Sequence, residues 1–298
     1  MQAPLLKEGM IAGVVVPSRK VDHKLLKAGC EIIASWGLRV KLGKYCFSET
    51  AEYLAAPDEQ RAEDLQNMLD DPEVDIIFCG RGGYGMTRIL DALNFSQFLR
   101  KPKYIVGFSD ITALHLHLAK LGMQSIHGPM PTQYSRQEYD ESVNSLRKLL
   151  FGDVQPLYAE YFALNRTGEA SGKIIGGNLS LLADSLGTSS EPDTDGKILV
   201  IEEVDEYLYK VDRMIVQLKR AKKLNRLAGL VIGHMTDMKD TDFQFCRSAE
   251  ELIINNVKEF AYPVAFHFPI GHEAPNLPWI HGSEARLSVT ADRSILTF

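Results

Sequence analysis

Cysteine is scarce and scattered. Cys30, Cys46, Cys79 and Cys246 are the whole supply in 298 residues, and no two have metal-ligand or redox spacing. Cys79 lies inside the strand-like run Asp75-Ile-Ile-Phe-Cys79 and reads as a buried, reduced thiol. The eight histidines form no His-x-x-x-His pair around a glutamate, so a zinc site is not expected. Basic residues are no more plentiful: 33 Lys and Arg against 39 Asp and Glu leave a net charge of −6. That balance argues against coating a nucleic acid, although a few local cations can still hold an anionic substrate. No apolar run approaches the roughly 18 residues of a membrane helix, so no membrane partner is expected. Met1 to Gly9 lacks the basic-then-apolar pattern of a secretory leader, and the expected location is the cytoplasm. The glycine loop Gly80-Arg-Gly-Gly-Tyr-Gly85 has Tyr84 within the dinucleotide spacing, and no P-loop lysine follows it. A nucleotide cofactor is therefore not expected, nor is a metal.

What is present is the composition of a globular protein, 45% hydrophobic and 24% charged. Met10 to Val16 reads as a strand, Lys24 to Ser35 as a helix, Leu38 to Leu42 as a second strand and Ala51 to Leu69 as a second helix. Val74 to Phe78 and Lys103 to Val106 continue the strands, with helices running through Leu93 and from Thr112 to Leu121. Apolar strands without strict alternation, separated by helices, indicate an α/β unit with a mostly parallel sheet covered on both faces. Ligands of such sheets meet the carboxyl ends of the strands. From Phe151 to Ala170 the chain reads as a polar connection of little period. Beyond it a second α/β unit has a short helix Leu179–Leu186, strands Lys197–Ile201 and Leu227–Gly233, and a helix around Ser248–Lys258. Extended segments follow at Val264–Phe268 and Ala285–Val289. The expected division is an N-terminal domain over 1–150, a linker over 151–167 and a C-terminal domain over 168–298.

Three positions carry candidate chemistry. In Tyr104-Ile-Val-Gly-Phe-Ser-Asp-Ile-Thr, a strand ends at a glycine and gives way to a helix, which exposes Ser109 at a helix N-terminus. The adjacent glycine loop and the N–H of Asp110 could supply donors for an oxyanion. A serine needs a base. His272, in Phe268-Pro-Ile-Gly-His-Glu-Ala-Pro-Asn276, lies among proline- and glycine-marked turns and is not a core residue by pattern. Packing roles suit His115 and His117, while His127 suits either a cleft or a turn. Glu202, at the exit of an apolar strand, is the best orienting carboxylate, although Glu203, Asp205 and Glu206 follow closely.

Taken together, these motifs resemble the LD-carboxypeptidase family, serine peptidases of the S66 type that include the microcin-immunity peptidases. The resemblance runs through Gly80–Gly85, Gly107-Phe-Ser-Asp-Ile-Thr-Ala113, His127-Gly-Pro129, Gly176-Gly-Asn-Leu179, Gly196-Lys-Ile-Leu-Val-Ile-Glu-Glu203, Asp212-Arg213, Gly271-His272 and Pro275-Asn276. It implies a Rossmann-like N-terminal domain and a smaller C-terminal α/β domain with the active site between them. It places the nucleophile on Ser109, the glutamate on Glu202 and the histidine on His272, with an oxyanion hole at Gly83 and Asp110. Two departures stand out: Val16-Pro17-Ser18 replaces an Ala-Pro-Ser turn, and Gly187-Thr-Ser-Ser190 lacks the proline and aromatic usual after Gly-Thr.

The implied activity is release of a terminal D-alanine from murein tetrapeptides in peptidoglycan recycling, with the protein a homodimer. Arg81 or Arg213 would grip the substrate carboxylate and Gly82 would line the same side. The alternative is cleavage of peptidyl or aminoacyl adenylates, for which Trp279 would stack the base. A non-enzymatic peptide-binding protein is a third reading.

Overall fold

The computed structural model describes residues 3–48 and 52–298. Along these, β1 (Ile11–Val15), α1 (His23–Ser35), β2 (Arg39–Leu42), α2 (Asp58–Asp70), β3 (Val74–Cys79), α3 (Met86–Leu90), α4 (Ser96–Arg100), β4 (Tyr104–Gly107), α5 (Thr112–Lys120), β5 (Ser125–His127) and α6 (Asp140–Leu150) come first. Then follow β6 (Leu157–Glu160), β7 (Gly168–Asn178), α7 (Leu179–Asp184), β8 (Ile198–Val204), α8 (Leu208–Arg220), β9 (Gly229–Thr236), α9 (Ala249–Asn256), β10 (Val264–Ala265), β11 (Trp279–His281), β12 (Glu284–Val289) and β13 (Arg293–Thr297). The result is mixed α/β with two sheets.

The first sheet has the order β11-β5-β4-β3-β1-β2, and β1 to β5 all run parallel to one another. Alternate residues of its strands feed two separate cores. Val14, Ile76, Phe78 and Val106 pack with Leu26 and Ile33 of α1 and Leu146 of α6. Val15, Ile77, Cys79 and Ile105 pack with Leu65 and Met68 of α2 and Leu114 of α5 on the opposite face. This double covering is what the near-continuous apolar strands require. The helix expected from Ala51 begins instead at Asp58, after Pro57, with Asp58 and Glu59 in its first turn, where carboxylates suit the helix dipole. Glu49, Thr50 and Ala51 lie outside the described residues.

The second sheet has the order β10-β9-β8-β7-β12-β13-β6. Strand β7 is its hinge: Gly168 to Lys173 pair antiparallel with β12, while Ile174 to Asn178 pair parallel with β8. Two details depart from the sequence reading. The polar connection after Phe151 contains β6 and the beginning of β7, because its alternating Leu157 and Ala159 face the core while Tyr158 and Glu160 face water. And β11, from the C-terminal segment, returns to the first sheet and pairs antiparallel with β5.

The two units meet along α5, which packs on β7 and α7. At the seam the Asn178 N–H donates to Thr112 Oγ1 (3.1 Å), at the N-terminal end of α5. The carboxyl ends of β4 and β8 face the same seam.

Candidate active site

Ser109 follows β4 directly and has φ of 63°, a left-handed conformation that is rare for a residue with a side chain. The turn lets β4 pass straight into a short 3₁₀ turn and α5, so the hydroxyl stands clear of the sheet. Such a conformation survives only when its surroundings fix it. Part of that fixing comes from the Asp110 carboxylate, which is buried and accepts from Ser18 Oγ (2.5 Å) and from the Met86 N–H (2.8 Å). One side chain thus ties the segment after β1, the end of the glycine loop and the serine turn together. Burial raises the Asp110 pKa, while these two hydrogen bonds pull it down. Arg61, 1% exposed, braces the same loop from beneath by donating to the carbonyls of Gly85 (2.9 Å), Ala56 (3.1 Å) and Pro17.

Glu202 is fully buried in β8, and its Oε2 accepts from His272 Nδ1 at 2.6 Å. That bond puts the ring proton on Nδ1 and leaves Nε2 bare toward Ser109 Oγ, 3.0 Å away. The Phe108 ring backs the imidazole, centroids 4.9 Å apart. Burial depresses the His272 pKa, but the charge of Glu202 and its hydrogen bond outweigh burial, with Glu203 adding to them. The net shift is upward. The histidine loop is anchored from two sides. Asn276, buried, accepts from the Gly271 N–H (3.0 Å) through Oδ1, while its own N–H donates to Ser142 Oγ (2.8 Å). Gly271 has φ of 127°, and a Cβ there would lie 2.9 Å from Glu202 Oε2. Only glycine lets this loop approach the carboxylate so closely.

The neighbouring Glu203 points away from the imidazole, accepting from Asn178 Nδ2 (2.9 Å) and from both the N–H (2.8 Å) and Oγ (2.6 Å) of Ser180. Successive side chains on a strand face opposite ways, which separates the two adjacent glutamates. Asp205 pairs with Lys239, and Glu206 pairs with Lys210 at 3.1 Å.

A cavity of about 380 Å³ opens over Ser109 and His272, walled by Arg81, Gly82, Gly83, Phe108, Arg136 and Tyr139 among others. A Cβ on Gly82 would lie 3.0 Å from Ser109 Cβ and 3.2 Å from its Oγ, so a bare backbone is required there. Arg81 reaches this wall while donating to the Lys20 carbonyl (3.2 Å). Burial, then the nearby Arg19, pull its pKa down, as expected of a guanidinium with no carboxylate facing it.

Two expected substrate-binding residues are elsewhere. Trp279 is fully buried in β11, with its ring stacked between His127 (5.2 Å) and His281 (5.4 Å), and cannot meet a ligand. Its hydrophobic bulk fills the join between the sheets. Arg213, on α8, lies 5.5 Å over the Tyr209 ring and does not line the cavity. Conversely, the sequence reading missed Arg136 and Tyr139. They come from an irregular stretch after β5, and the only signal was the aromatic and basic content of Tyr134-Ser-Arg-Gln-Glu-Tyr139. His127 is wholly buried rather than cleft-lining. Among the described residues no group of three or more His, Cys, Asp or Glu is placed to hold a metal.

Fold and geometry together define a hydrolase with a Ser-His-Glu constellation at a domain seam, and comparison with known proteins narrows the class. Residues 12–128 match the model of the LD-carboxypeptidase N-terminal domain, and residues 171–287 that of its C-terminal domain. The chain belongs to the LD-carboxypeptidase family and is a serine-type peptidase. The probable murein peptide carboxypeptidase of Bacillus subtilis is 33% identical over 98% of this chain and 92% of its own length. The crystal structure of muramoyltetrapeptide carboxypeptidase from Oxalobacter formigenes superimposes with a TM-score of 0.87 at 27% identity, covering 96% of this chain and 98% of that one. The microcin C7 self-immunity protein MccF, in complex with aspartyl sulfamoyl adenosine, shares the fold with a TM-score of 0.87 at 21% identity, covering 100% of this chain and 98% of that one.

Proposed function

We propose that this enzyme is an LD-carboxypeptidase that removes the terminal D-alanine from murein tetrapeptides, with Ser109 as nucleophile, His272 as base and Glu202 as the group that orients and charges the histidine. The observation that carries this reading is the unbroken relay from Glu202 Oε2 through His272 to Ser109 Oγ. His272 Nε2 takes the Ser109 proton as Oγ attacks the carbonyl carbon. The oxyanion rests against backbone N–H groups of Gly83 and Asp110. His272 then delivers its proton to the departing amine nitrogen, the C–N bond breaks and D-alanine leaves. Water, deprotonated by the same imidazole, releases the acyl group and restores Ser109.

Arg81 takes the free carboxylate of the leaving residue. It lines the cavity beside Gly82 and Ser109, and no carboxylate of the described residues pairs with it. Cleavage of adenylates is the weaker reading, because the buried Trp279 offers no stacking face for a base. A binding protein without catalysis has no use for a strained serine aligned on a histidine that a buried glutamate orients. The same reading places the enzyme in the cytoplasm, acting on free peptides as a homodimer; among the described residues no helix is long and apolar enough to cross a membrane.

The deciding experiment is mass analysis of products from a panel holding murein tetrapeptides and an aminoacyl sulfamoyl adenosine. Loss of one D-alanine from the tetrapeptide, absent with Ser109→Ala, is the expected result. Preferential cleavage of the adenylate analogue overturns the assignment.

A further inference from the structure

A second cavity, of about 320 Å³, lies in the same seam and shares no lining residue with the first. Its floor is apolar, made by Leu116 of α5, Met123 of the following turn and Ile175 of β7, so both structural units contribute to it. Its rim is cationic: Lys120, Lys173 and Lys197 all line it, against Asp193 as the one acidic lining residue. That carboxylate is already committed to Lys197 at 2.7 Å. Lys120 donates to the backbone carbonyl of Glu191 at 3.4 Å and acts on its carboxylate from a distance, while that carboxylate is paired with Lys223 at 2.5 Å. Lys173, whose cross-strand neighbour is Glu284, makes no ion pair among the described residues. Three ammonium groups thus rim one concave surface, and Lys120 and Lys173 are the two without a direct carboxylate contact among the described residues.

We propose that this seam cavity binds a small amphiphilic anion, an apolar body carrying a carboxylate or phosphate, at a site separate from the catalytic one. The apolar body would lie against Ala119 and the methylene stems of the lysines, above the buried Leu116, Met123 and Ile175, and the anionic group would meet Lys173 with Lys120. Lysine suits either headgroup as a point charge. Because α5 carries the serine turn at one end and this cavity at the other, the ligand would sit between the element that follows the nucleophile and the sheet that holds Glu202.

The site is tested on the full chain labelled with ¹³C-methyl methionine, since Met123 lines this cavity and Met130 lines the catalytic one. The probes are 4-phenylbutyrate and phenyl phosphate, which distinguish the two headgroups, and 4-phenyl-1-butanol as the uncharged counterpart. The expected result is a saturable shift of Met123 with half-saturation below about 1 mM for at least one anion, no shift at Met130, and at least roughly tenfold weaker binding of the alcohol. Lys173→Glu, at an exposed position that leaves the core untouched, should weaken the anion by about tenfold or more. A Met123 signal that never moves or never saturates, equal binding of the alcohol, an undiminished response in Lys173→Glu, or a shift confined to Met130 would each overturn the proposal.

Discussion

At the scale of single residues, His272 sets the terms of the chemistry. Its raised pKa comes from Glu202 and means that the imidazole is protonated, and so unable to act as base, to higher pH than an ordinary histidine near 6.5. The acid limb of kcat/KM should therefore fall above that value, and Glu202→Gln should move it downward while lowering the rate about a hundredfold or more. A pH–rate profile of both enzymes checks this; an unmoved limb would detach Glu202 from the histidine. For stability the sign is reversed. A pKa raised on folding makes the charged pair stabilising below the unfolded value and loses that contribution as pH rises through the folded one. The enzyme therefore works where this pair holds the fold least. Ser109→Ala should cost about a thousandfold or more in kcat/KM; because alanine keeps the Cβ that disfavours a φ of 63°, its melting temperature should stay level, whereas Ser109→Gly should relieve the turn.

At the scale of elements, the glycine loop and the serine turn are held as a unit by Asp110. Replacing it with alanine would strand Ser18 Oγ and the Met86 N–H in a buried place, at a cost of about 1–3 kcal/mol by denaturant titration, and would lower kcat through a displaced loop. Much at this level was readable from sequence, and the reasons are physical. Ile76–Cys79 of β3 and Ile198–Ile201 of β8 are unbroken apolar runs, and although a serine between a strand and a helix is mostly a helix cap, the adjacent glycine loop set Ser109 apart. The polar walls were harder to see. Arg136 and Tyr139 reach the cavity from a stretch with no period, and Arg61 sits in an acid-rich helix whose pattern suggests solvent, yet it is buried because three backbone carbonyls converge on it. Glu202 was preferred from its place at the exit of an apolar strand; what separates it from Glu203 is strand alternation and the histidine 70 residues further along.

At the scale of the whole molecule, the join between the sheets is built from aromatic and histidine rings. Trp279 lies between His127 and His281, and His115 stacks on His281, all wholly buried; burial drives each histidine's pKa down, that of His115 to about 4. Groups held neutral in the fold but protonated when unfolded stabilise above the unfolded value and lose that contribution as pH falls. Stability to urea should accordingly decline from about pH 6.5 toward pH 4, the three seam histidines outweighing the opposite trend of His272. Unchanged midpoints across that window would show that these rings are not neutral in the fold. Trp279→Ala should cost about 3–5 kcal/mol, because it opens a void where a strand of the first sheet packs into the core of the second. The strand that carries it, β11, was invisible to pattern reading: Trp-Ile-His is too short for any period, and its partner β5 lies about 150 residues earlier.

That returning strand bears on how the protein is made. As synthesis proceeds from the N-terminus, the first sheet stays one strand short until Trp279–His281 have left the ribosome, about 150 residues after β5. The nucleophile-bearing half thus waits, incomplete, for the half that brings the base. A truncated nascent chain would carry neither a finished edge nor a working hydrolytic centre.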